Sequence, residues 1–301
     1  MSILKLSHTA KEKYLTSPRA YYYHYFLYLR EVCAGSPLFF GSIVETGLEV
    51  LLKGGTLEQA KETFKKNFKT HNINGKIENL SSSNVIRYNK ADFDLEIFTD
   101  KELKDLEGKS NQFKSWISLQ RKGEMLIDAY YRDIFPKIKK VIATQKYFKI
   151  ENESGDEING FIDLLCEWED GRLILPDHKT TSLTYPDDAV SSERYGKQTA
   201  LYYEALIHEY PIDAVGFFTL EKKIRKKEPK ARTKVILDKP PEELIQKTFD
   251  EFDDVLYNIK QGNFPCLSPN CDAYGQTCCY KKYCESGGKD LTGLVKIGKS
   301  K

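Results

Sequence analysis

The chain has 301 residues, of which 46 are lysine or arginine and 44 are aspartate or glutamate, so its formal net charge is +2. This balance excludes a strongly basic nucleic-acid coat and leaves room only for a local basic patch. No apolar run reaches the ~18 residues of a membrane helix, and the first residues lack the apolar core of a secretion signal. We therefore expect a cytoplasmic protein with no membrane partner.

The first 135 residues are predicted to be mostly helical. Gly54-Gly55 stops one helix, and Thr56 caps the next, which has Glu58 early and Lys65 late. The predicted elements are a helical segment over 5–30, a helix over 38–53, a helix from Thr56, a polar loop over 71–95 and a helix over 100–135.

The pattern changes after Pro136, where strands are predicted. Asp170-Gly171, the strongest short hairpin signal, separates two of them. The predicted order is strands over 141–150, 158–167 and 172–177, a helix over 188–209, strands over 212–220 and 235–237, and a helix over 241–260. This order implies an α/β core. The chain divides into a helical region (1–135) that contributes to the active site, a core (136–262) and a cysteine-rich segment (263–301).

Two acids and a lysine lie on neighbouring strands of the predicted hairpin. Alternation places Ile162 and Leu164 on one face and leaves Asp163 on the other, while Asp177 and Lys179 share a face. A carboxylate among apolar residues is costly unless it is paired or metal-bound. The cluster therefore indicates phosphodiester hydrolysis, in which carboxylates hold Mg²⁺ or Mn²⁺ and the lysine orients the attacking water. A structural ion pair is the alternative.

Three motifs surround these residues: Gly160-Phe161-Ile162-Asp163, Ile174-Leu175-Pro176-Asp177-His178-Lys179-Thr180, and Tyr195-Gly196-Lys197-Gln198 with Tyr202. In this order they resemble the PD-(D/E)XK nuclease superfamily, in particular its RecB-like exonuclease branch, which includes the AddB nuclease domain, CRISPR adaptation nucleases and phage exonucleases. The resemblance implies a restriction-endonuclease-like core with a mixed central sheet flanked by helices, an N-terminal helical cap and a C-terminal cysteine knuckle. It also implies that Asp163, Asp177 and the backbone carbonyl of His178 bind metal and that Lys179 is catalytic.

The third motif places Tyr195, Gln198 and Tyr202 on one face of the predicted helix, at spacings of three and four residues. The resemblance implies that Gln198 lies in the active site, where it positions the substrate or the lysine. We expect the two tyrosines to contact DNA. A packing stripe of tyrosines is the alternative.

Two positions depart from the pattern of the RecB-like branch. The N-terminal helix of that branch carries a G-x-x-x-H motif whose histidine binds metal, whereas here Gly41 is followed by Glu45. Because Mg²⁺ prefers oxygen ligands, we expect Glu45 to act as a substitute ligand. A solvated glutamate and a weakened metal site are the alternatives. Gln145 stands where the branch has an acid in the strand before the hairpin.

Five of the seven cysteines lie near the C-terminus: Cys266, Cys271, Cys278, Cys279 and Cys284. In a reducing compartment, this clustering favours a metal over disulfides. We expect a structural zinc ion or a 4Fe–4S cluster, and many RecB-like nucleases close their domain with such a cluster. Free thiols are the alternative. Ser17 replaces the cysteine of the branch's C-P-x-x-[FY] motif.

Residues 221–234 hold eight lysines and arginines against two glutamates. Five of these cations are expected to follow a DNA backbone: Lys222, Lys223, Arg225, Lys226 and Lys227. A solvated loop is the alternative. The aromatic run over 21–26 is expected to be core packing, with base stacking as its alternative.

Taken together, the patterns predict a metal-dependent DNA nuclease, an exonuclease working in recombination, repair, or phage or CRISPR DNA processing. The alternative is a catalytically inactive DNA-binding or recombination-accessory protein of the same fold. DNA is the expected partner, a recombination or replication protein is a further candidate, and the oligomeric state is left open.

Overall fold

The computed structural model describes residues 3–32, 34–68, 86–88, 90–224, 230–266 and 278–298. Its helices are α1 (His8–Thr16), α2 (Pro18–Tyr25), α3 (Ser36–Leu52), α4 (Leu57–Asn67), α5 (Asp100–Asp105), α6 (Asn111–Asp133), α7 (Lys197–Leu206), α8 (Glu242–Lys260) and α9 (Lys281–Glu285). Its strands are β1 (Lys5–Ser7), β2 (Leu29–Glu31), β3 (Ala34–Gly35), β4 (Ile86–Arg87), β5 (Ile138–Glu151), β6 (Glu157–Trp168), β7 (Leu173–Thr181), β8 (Ala214–Glu221), β9 (Arg232–Asp238) and β10 (Leu294–Lys296).

A six-stranded mixed sheet forms the centre of the described fold. Strand β6 pairs with β5 along one edge, and its other edge is shared by β1, which is parallel, and β7, which is antiparallel. The β6–β7 pairing is confined to Cys166 with Ile174 and Glu167 with Leu173. Beyond these pairs the two strands separate, while β7 continues beside parallel β8, and β8 beside antiparallel β9. The separation leaves a gap in the sheet.

Helices cover both faces of this sheet, each with its own apolar core. Residues of α3, α4 and α6 pack on one face, called here the α3 face, and residues of α1, α7 and α8 pack on the other, the α7 face. Strand β8 shows the division, because Phe218 and Leu220 lie in the first core and Val215 and Phe217 in the second. The predicted α/β class is confirmed.

Several predicted elements differ from those observed. The helical segment expected over 5–30 is two helices flanked by β1 and β2. The breaks follow from capping, since the Ser7 and Ser17 side chains accept hydrogen bonds from the backbone N–H groups of Ala10 and Ala20. The helix expected over 100–135 is likewise two, because Gly108 adopts a φ of 75° between them.

The helix predicted over 188–209 begins only at Lys197. The residues before it form turns, and a Cβ at Gly196 would lie 2.0 Å from the backbone oxygen of Val190. This close approach admits no side chain at position 196, and the chain folds back on itself there instead of continuing a helix. Of the loop expected over 71–95, residues 71–85 lie outside the described residues, and Ile86–Arg87 form the short strand β4.

The predicted alternation along β6 was wrong at one point. Ile162 lies in the core of the α7 face, whereas Leu164 and Cys166 lie in the core of the α3 face. The alternation therefore shifts by one residue beside Asp163. The shift accompanies an irregular partner strand, since β5 has a register shift between Val141 and Ala143, and Gln145 has a φ of 50°.

The N- and C-terminal parts of the chain meet away from the main sheet. Strand β2 pairs with antiparallel β10, and the aromatic residues of α2 pack against the cysteine segment, with the Tyr23 and Tyr280 ring centroids 5.6 Å apart. Tyr21 and Tyr23 are buried, which agrees with the expected core packing of this run. Among the described helices, none is both long and apolar enough to cross a membrane.

Candidate active site

The gap between β6 and β7 brings the predicted acids together. The Asp163 carboxylate of β6 accepts a hydrogen bond of 3.0 Å from the backbone N–H of His178 on β7. Asp177, on the other side of His178, is buried, with 1% of its surface exposed. Because β7 no longer pairs with β6 here, the Asp163 side chain takes the place of the missing ladder bond to this N–H group. The two acids are therefore held on opposite sides of one strand gap.

A chain of polar contacts leads from Asp177 into the helical layer. Lys179 Nζ lies 2.6 Å from Asp177 Oδ2 and donates to Gln198 Oε1 at 3.0 Å. Gln198 Nε2 in turn donates to the hydroxyl of Tyr202 at 2.6 Å. The contacts join the end of β7 to the first turns of α7, so the lysine is restrained from two sides.

The charges of this pair follow from burial and mutual attraction. Burial raises the pKa of Asp177 to about 6, against the opposing effect of the Lys179 ammonium. For Lys179, burial lowers the pKa, but the Asp177 carboxylate outweighs it and the net shift is upward. Lys179 is therefore a cation at neutral pH, suited to orienting a water or offsetting negative charge and unsuited to removing a proton.

Glu45 enters the site from α3. A Cβ at Gly41, one turn earlier, would lie 3.1 Å from Thr180 Oγ1, so the glycine lets the helix approach the end of β7 closely. Gln145 Nε2 donates to Glu45 Oε1 at 2.7 Å. Burial, followed by the nearby Asp163 carboxylate, raises the pKa of Glu45 to about 8. The glutamate thus faces the acid cluster and is not a solvated residue of the helix surface.

The donor set of the cluster is suited to a hard divalent cation. Glu45, Asp163 and Asp177 bring carboxylates into a partly desolvated space, where their mutual repulsion favours a bound proton or a bound cation. Within the described ranges, no three His, Cys, Asp or Glu side chains are already arranged as a metal-binding group. The carboxylate oxygens of these residues are donor atoms of the kind that Mg²⁺ and Mn²⁺ prefer.

Tyr130 contacts the site and was missed by sequence reasoning. Its hydroxyl lies 3.1 Å from Nε2 of His178, and it is fully buried in α6. Burial lowers the pKa of His178 to about 4, so the imidazole is neutral. This contact fixes the side chain between the two acids and thereby the backbone whose N–H group binds Asp163.

A buried ion network supports α7 behind the site. Lys11, whose surface is entirely buried, donates to Glu251 Oε2 at 2.7 Å, and Lys197 contacts the other oxygen of Glu251. Three helices meet in these two pairs: α1, α7 and α8. Since Lys197 directly precedes Gln198, the network holds the glutamine in register with Lys179. Sequence reasoning missed it because its members are far apart in the chain.

A comparison with models of known protein families identifies the superfamily of this chain. A model described as the PD-(D/E)XK nuclease superfamily matches residues 5–285. The chain belongs to the PD-(D/E)XK nuclease superfamily. Its mixed sheet between helical layers is the restriction-endonuclease-like fold predicted from the motifs. Members generally use divalent metals such as Mg²⁺ or Mn²⁺. No curated protein matches the chain.

Both tyrosines that are expected to bind DNA, Tyr195 and Tyr202, contact other aromatic rings. Tyr202 is buried, with 5% of its surface exposed, and packs edge-on against Phe148. Tyr195 precedes α7 and contacts the ring of Tyr185. Both rings therefore take part in packing, the Tyr202 hydroxyl also holds Gln198, and DNA contact by either tyrosine stays a prediction.

The basic segment divides at its described boundary. Lys222 is half-buried, with its Nζ 5.8 Å from the centre of the Phe40 ring, and burial lowers its pKa. Lys223 is exposed. Arg225, Lys226 and Lys227 lie outside the described residues. Lys223 is thus the exposed cation among the two described members of this set, and DNA contact by the segment stays a prediction.

The described cysteines of the C-terminal segment lie in two pairs. Cys266 Sγ is 3.7 Å from Cys284 Sγ. A hydrogen bond from Cys279 lowers the pKa of Cys278 to about 6, so this thiol is largely a thiolate at neutral pH. Cys271 lies outside the described residues. Cys166 is buried in the core of the α3 face, separate from both pairs.

Proposed function

We propose that the chain is a metal-dependent deoxyribonuclease of the RecB-like branch, an exonuclease that hydrolyses DNA during recombination, repair, or phage or CRISPR DNA processing. The observation that carries the proposal is the contact chain from Asp177 through Lys179 to Gln198, beside Glu45 and Asp163. A protein that only bound DNA would have no need to bury a lysine against a carboxylate next to two further acids. DNA is the substrate that membership in the superfamily implies.

The residues that would hold the metal are Glu45, Asp163 and Asp177, together with the backbone carbonyl of His178. Bound there, Mg²⁺ or Mn²⁺ would supply Lewis-acid polarisation of the phosphate and a water of lowered pKa. Asp163 keeps its orientation through the N–H group of His178, and Glu45 keeps its own through Gln145. The protein thereby fixes oxygen donors from two strands and one helix around one space.

Lys179 and Gln198 would act on the substrate side. The Lys179 ammonium, held by Asp177 and Gln198, would orient the attacking water and offset the charge that develops on the phosphate. Gln198 is already committed to Lys179 and Tyr202, so its first task is positioning the lysine. Removing one such preorganised donor typically costs on the order of 10²–10³ in kcat.

The cysteine segment would serve stability and not the chemistry. We infer that Cys266, Cys278, Cys279 and Cys284, with Cys271 as a further candidate, bind a zinc ion or a 4Fe–4S cluster. The 3.7 Å between two of the sulfurs is close to the spacing of about 3.8 Å that tetrahedral ligands have at a Zn–S distance of 2.3 Å. The expected cytoplasmic location and a recombination or replication partner stay predictions.

The test is cleavage of end-labelled DNA, single- and double-stranded, linear and circular, with Mg²⁺ or Mn²⁺. We expect metal-dependent loss of linear DNA only, absent in Lys179→Ala and retained in Lys109→Ala, an exposed lysine between α5 and α6. Cleavage of circular DNA would show that the enzyme is an endonuclease and not an exonuclease. DNA binding without any cleavage, by protein whose cysteine metal is loaded, would favour the DNA-binding accessory protein.

A further inference from the structure

Two aromatic rings lie exposed on the sheet next to the candidate active site. Phe161 of β6 has 56% of its surface exposed, and Tyr147 of β5 has 49%. The two residues are direct partners in the β5–β6 register, and their ring centroids are 5.3 Å apart with an interplanar angle of 59°. Large aromatic side chains are usually buried in a fold of this size, so an exposed pair indicates a surface that contacts something else.

The pair lies on the face of the sheet that α3 and Glu45 approach. Ile158 and Ile162 of β6 are buried in the core of the α7 face, so Phe161 between them points to the opposite face, the α3 face. On β5, Gln145 binds Glu45 and lies between Thr144 and Lys146, which pair with Leu164 and Ile162 on either side of Asp163. The aromatic pair is therefore one step along the sheet from the acids, about 6.8 Å for two residues of strand.

Contacts at the far end hold Tyr147 in place. Its hydroxyl donates to Glu157 Oε1 at 3.0 Å. Glu157 is buried and also accepts from Asn159 at 2.6 Å and pairs with Lys5 at 3.1 Å. The ring is thus fixed by its polar end while its face remains open. A preorganised ring loses little conformational freedom when a ligand stacks on it.

The next pair on the same face is polar and basic. Register pairs Asn159 with Lys149, and Lys5 of β1 follows beside Glu157. Lys149 and Lys5 are both exposed. Proceeding from Asp163, the sheet thus presents an aromatic pair and then the ammonium groups of Lys149 and Lys5, which pair with Glu151 at 3.5 Å and with Glu157 at 3.1 Å. This sequence matches a strand of nucleic acid whose bases stack on rings and whose phosphates meet cations.

We propose that Phe161 and Tyr147 form a stacking platform for unpaired nucleotides of the strand being cut, next to the scissile phosphate. The proposal rests on the proposed function and adds a substrate preference to it. Stacking needs free base faces, so a duplex must be opened before its bases reach the platform. Single-stranded DNA, or a frayed end, is therefore the preferred substrate, with little dependence on base identity.

The test measures binding of single-stranded oligo(dT) and of blunt duplex by fluorescence anisotropy, with all variants in the Lys179→Ala background to prevent turnover. We expect Phe161→Ala and Tyr147→Ala to weaken oligo(dT) binding on the order of tenfold each. Tyr147→Phe keeps the ring and should lose little. Tyr257→Ala removes a more exposed tyrosine, 64% exposed on α8, and should leave binding unchanged.

Oligonucleotides with one abasic position separate stacking from a general disturbance of the site. The abasic position that weakens binding to the parent protein should have no further effect on Phe161→Ala, because the ring it would stack on is already gone. Unchanged oligo(dT) binding in both ring deletions would overturn the platform, as would an equal loss for blunt duplex.

The two proposals fail in distinguishable ways. If the wild-type chain cleaves DNA but the ring deletions alter neither binding nor KM, the platform is wrong and the nuclease stands. If no DNA is cleaved under any metal condition while the ring deletions still weaken oligo(dT) binding, the platform stands and the nuclease is wrong.

Discussion

The Asp163 carboxylate binds the backbone N–H of His178 across 3.0 Å, at the point where β6 and β7 no longer pair. The Asp163 side chain thus bonds to β7 at the point where the two strands have separated. This contact explains how two acids 14 residues apart in the chain can be held rigidly around a space that the sheet itself does not fill. It also makes the backbone of His178 as important to the geometry as its side chain.

Replacing Tyr202 by Phe should lower the rate of DNA cleavage by about two- to tenfold, because Gln198 loses the hydroxyl that accepts its 2.6 Å hydrogen bond, a contact worth ~0.5–1.5 kcal/mol. The ring against Phe148 is kept, so stability should change little. The measurement is kcat on linear DNA. Tyr203→Phe, the neighbouring buried tyrosine, is the matched control, and equal effects in both would contradict the positioning role.

In the metal-free chain, the contribution of Glu45 and Asp177 to stability should fall as pH rises from 5 to 8. The folded pKa of Glu45 is raised from 4.5 to about 8, and that of Asp177 from 3.8 to about 6, so the folded state retains protons that the unfolded state releases. The share of the free energy of unfolding that these two acids supply therefore falls with pH across this window, while His178, whose folded pKa is lowered to about 4, contributes in the opposite direction. Glu45→Gln removes one of the two falling contributions, so its stability should fall less, or rise more, with pH than that of wild type.

The slope is measured as Tm in a chelator at several pH values. Glu49→Gln is the control, because Glu49 lies one turn further along α3 and pairs with Lys53 at 2.6 Å. A Tm that depends on pH equally in Glu45→Gln and in wild type would contradict the burial of Glu45 among acids.

Added Mn²⁺ should raise the Tm of the wild-type chain at pH 8, because a cation relieves the repulsion among the three carboxylates and binds only the folded state. Glu45→Gln and Asp163→Asn should each lose most of this shift, whereas Glu49→Gln should keep it. A full Tm shift in Glu45→Gln would show that Glu45 does not bind the metal and is a residue of the helix surface.

Gly41→Ala should impair cleavage more than folding. The added Cβ would lie 3.1 Å from Thr180 Oγ1, which is closer than ordinary van der Waals contact, so we expect α3 to shift outward by a few tenths of an ångström together with Glu45. The double variant Gly41→Ala with Thr180→Ala removes the contacting oxygen and should recover most of the activity. Activity and Tm are compared in the single variants and the pair, and absence of recovery would show that the helix approach is set elsewhere.

Cys284→Ser should release the bound zinc or iron of the C-terminal segment and lower the Tm. Its sulfur lies 3.7 Å from Cys266, within the group we infer to bind metal. Elemental analysis and the visible absorption spectrum report the loss and distinguish zinc from an iron–sulfur cluster. Cys166→Ala, in the apolar core, should keep the metal content unchanged. Metal-free wild-type protein with the same Tm would contradict a structural role.

The sequence alone determined the family and the members of the acid cluster. Asp177 and Lys179 are separated by two positions on one strand, and that spacing by itself places them on one face, as observed. The same local rule failed at Ile162 and Leu164, where the irregular residue of the partner strand is Gln145 with its φ of 50°, a feature of β5 that leaves no mark in the sequence of β6. It failed again before Lys197, where turns had the composition of a helix start.

Only the tertiary structure decided which distant side chains join the motifs. Tyr130 beside His178, Gln145 beside Glu45 and Glu251 between two lysines depend on helices packing across the sheet, and contacts at such separations have no periodicity to reveal them. The exposure of Phe161 could not be predicted from the sequence either. An aromatic residue on a strand is expected to be buried, and only the tertiary structure shows that none of the described helices covers this ring. Local spacing determines which residues share a face of a strand or helix, and tertiary packing determines what that face contacts.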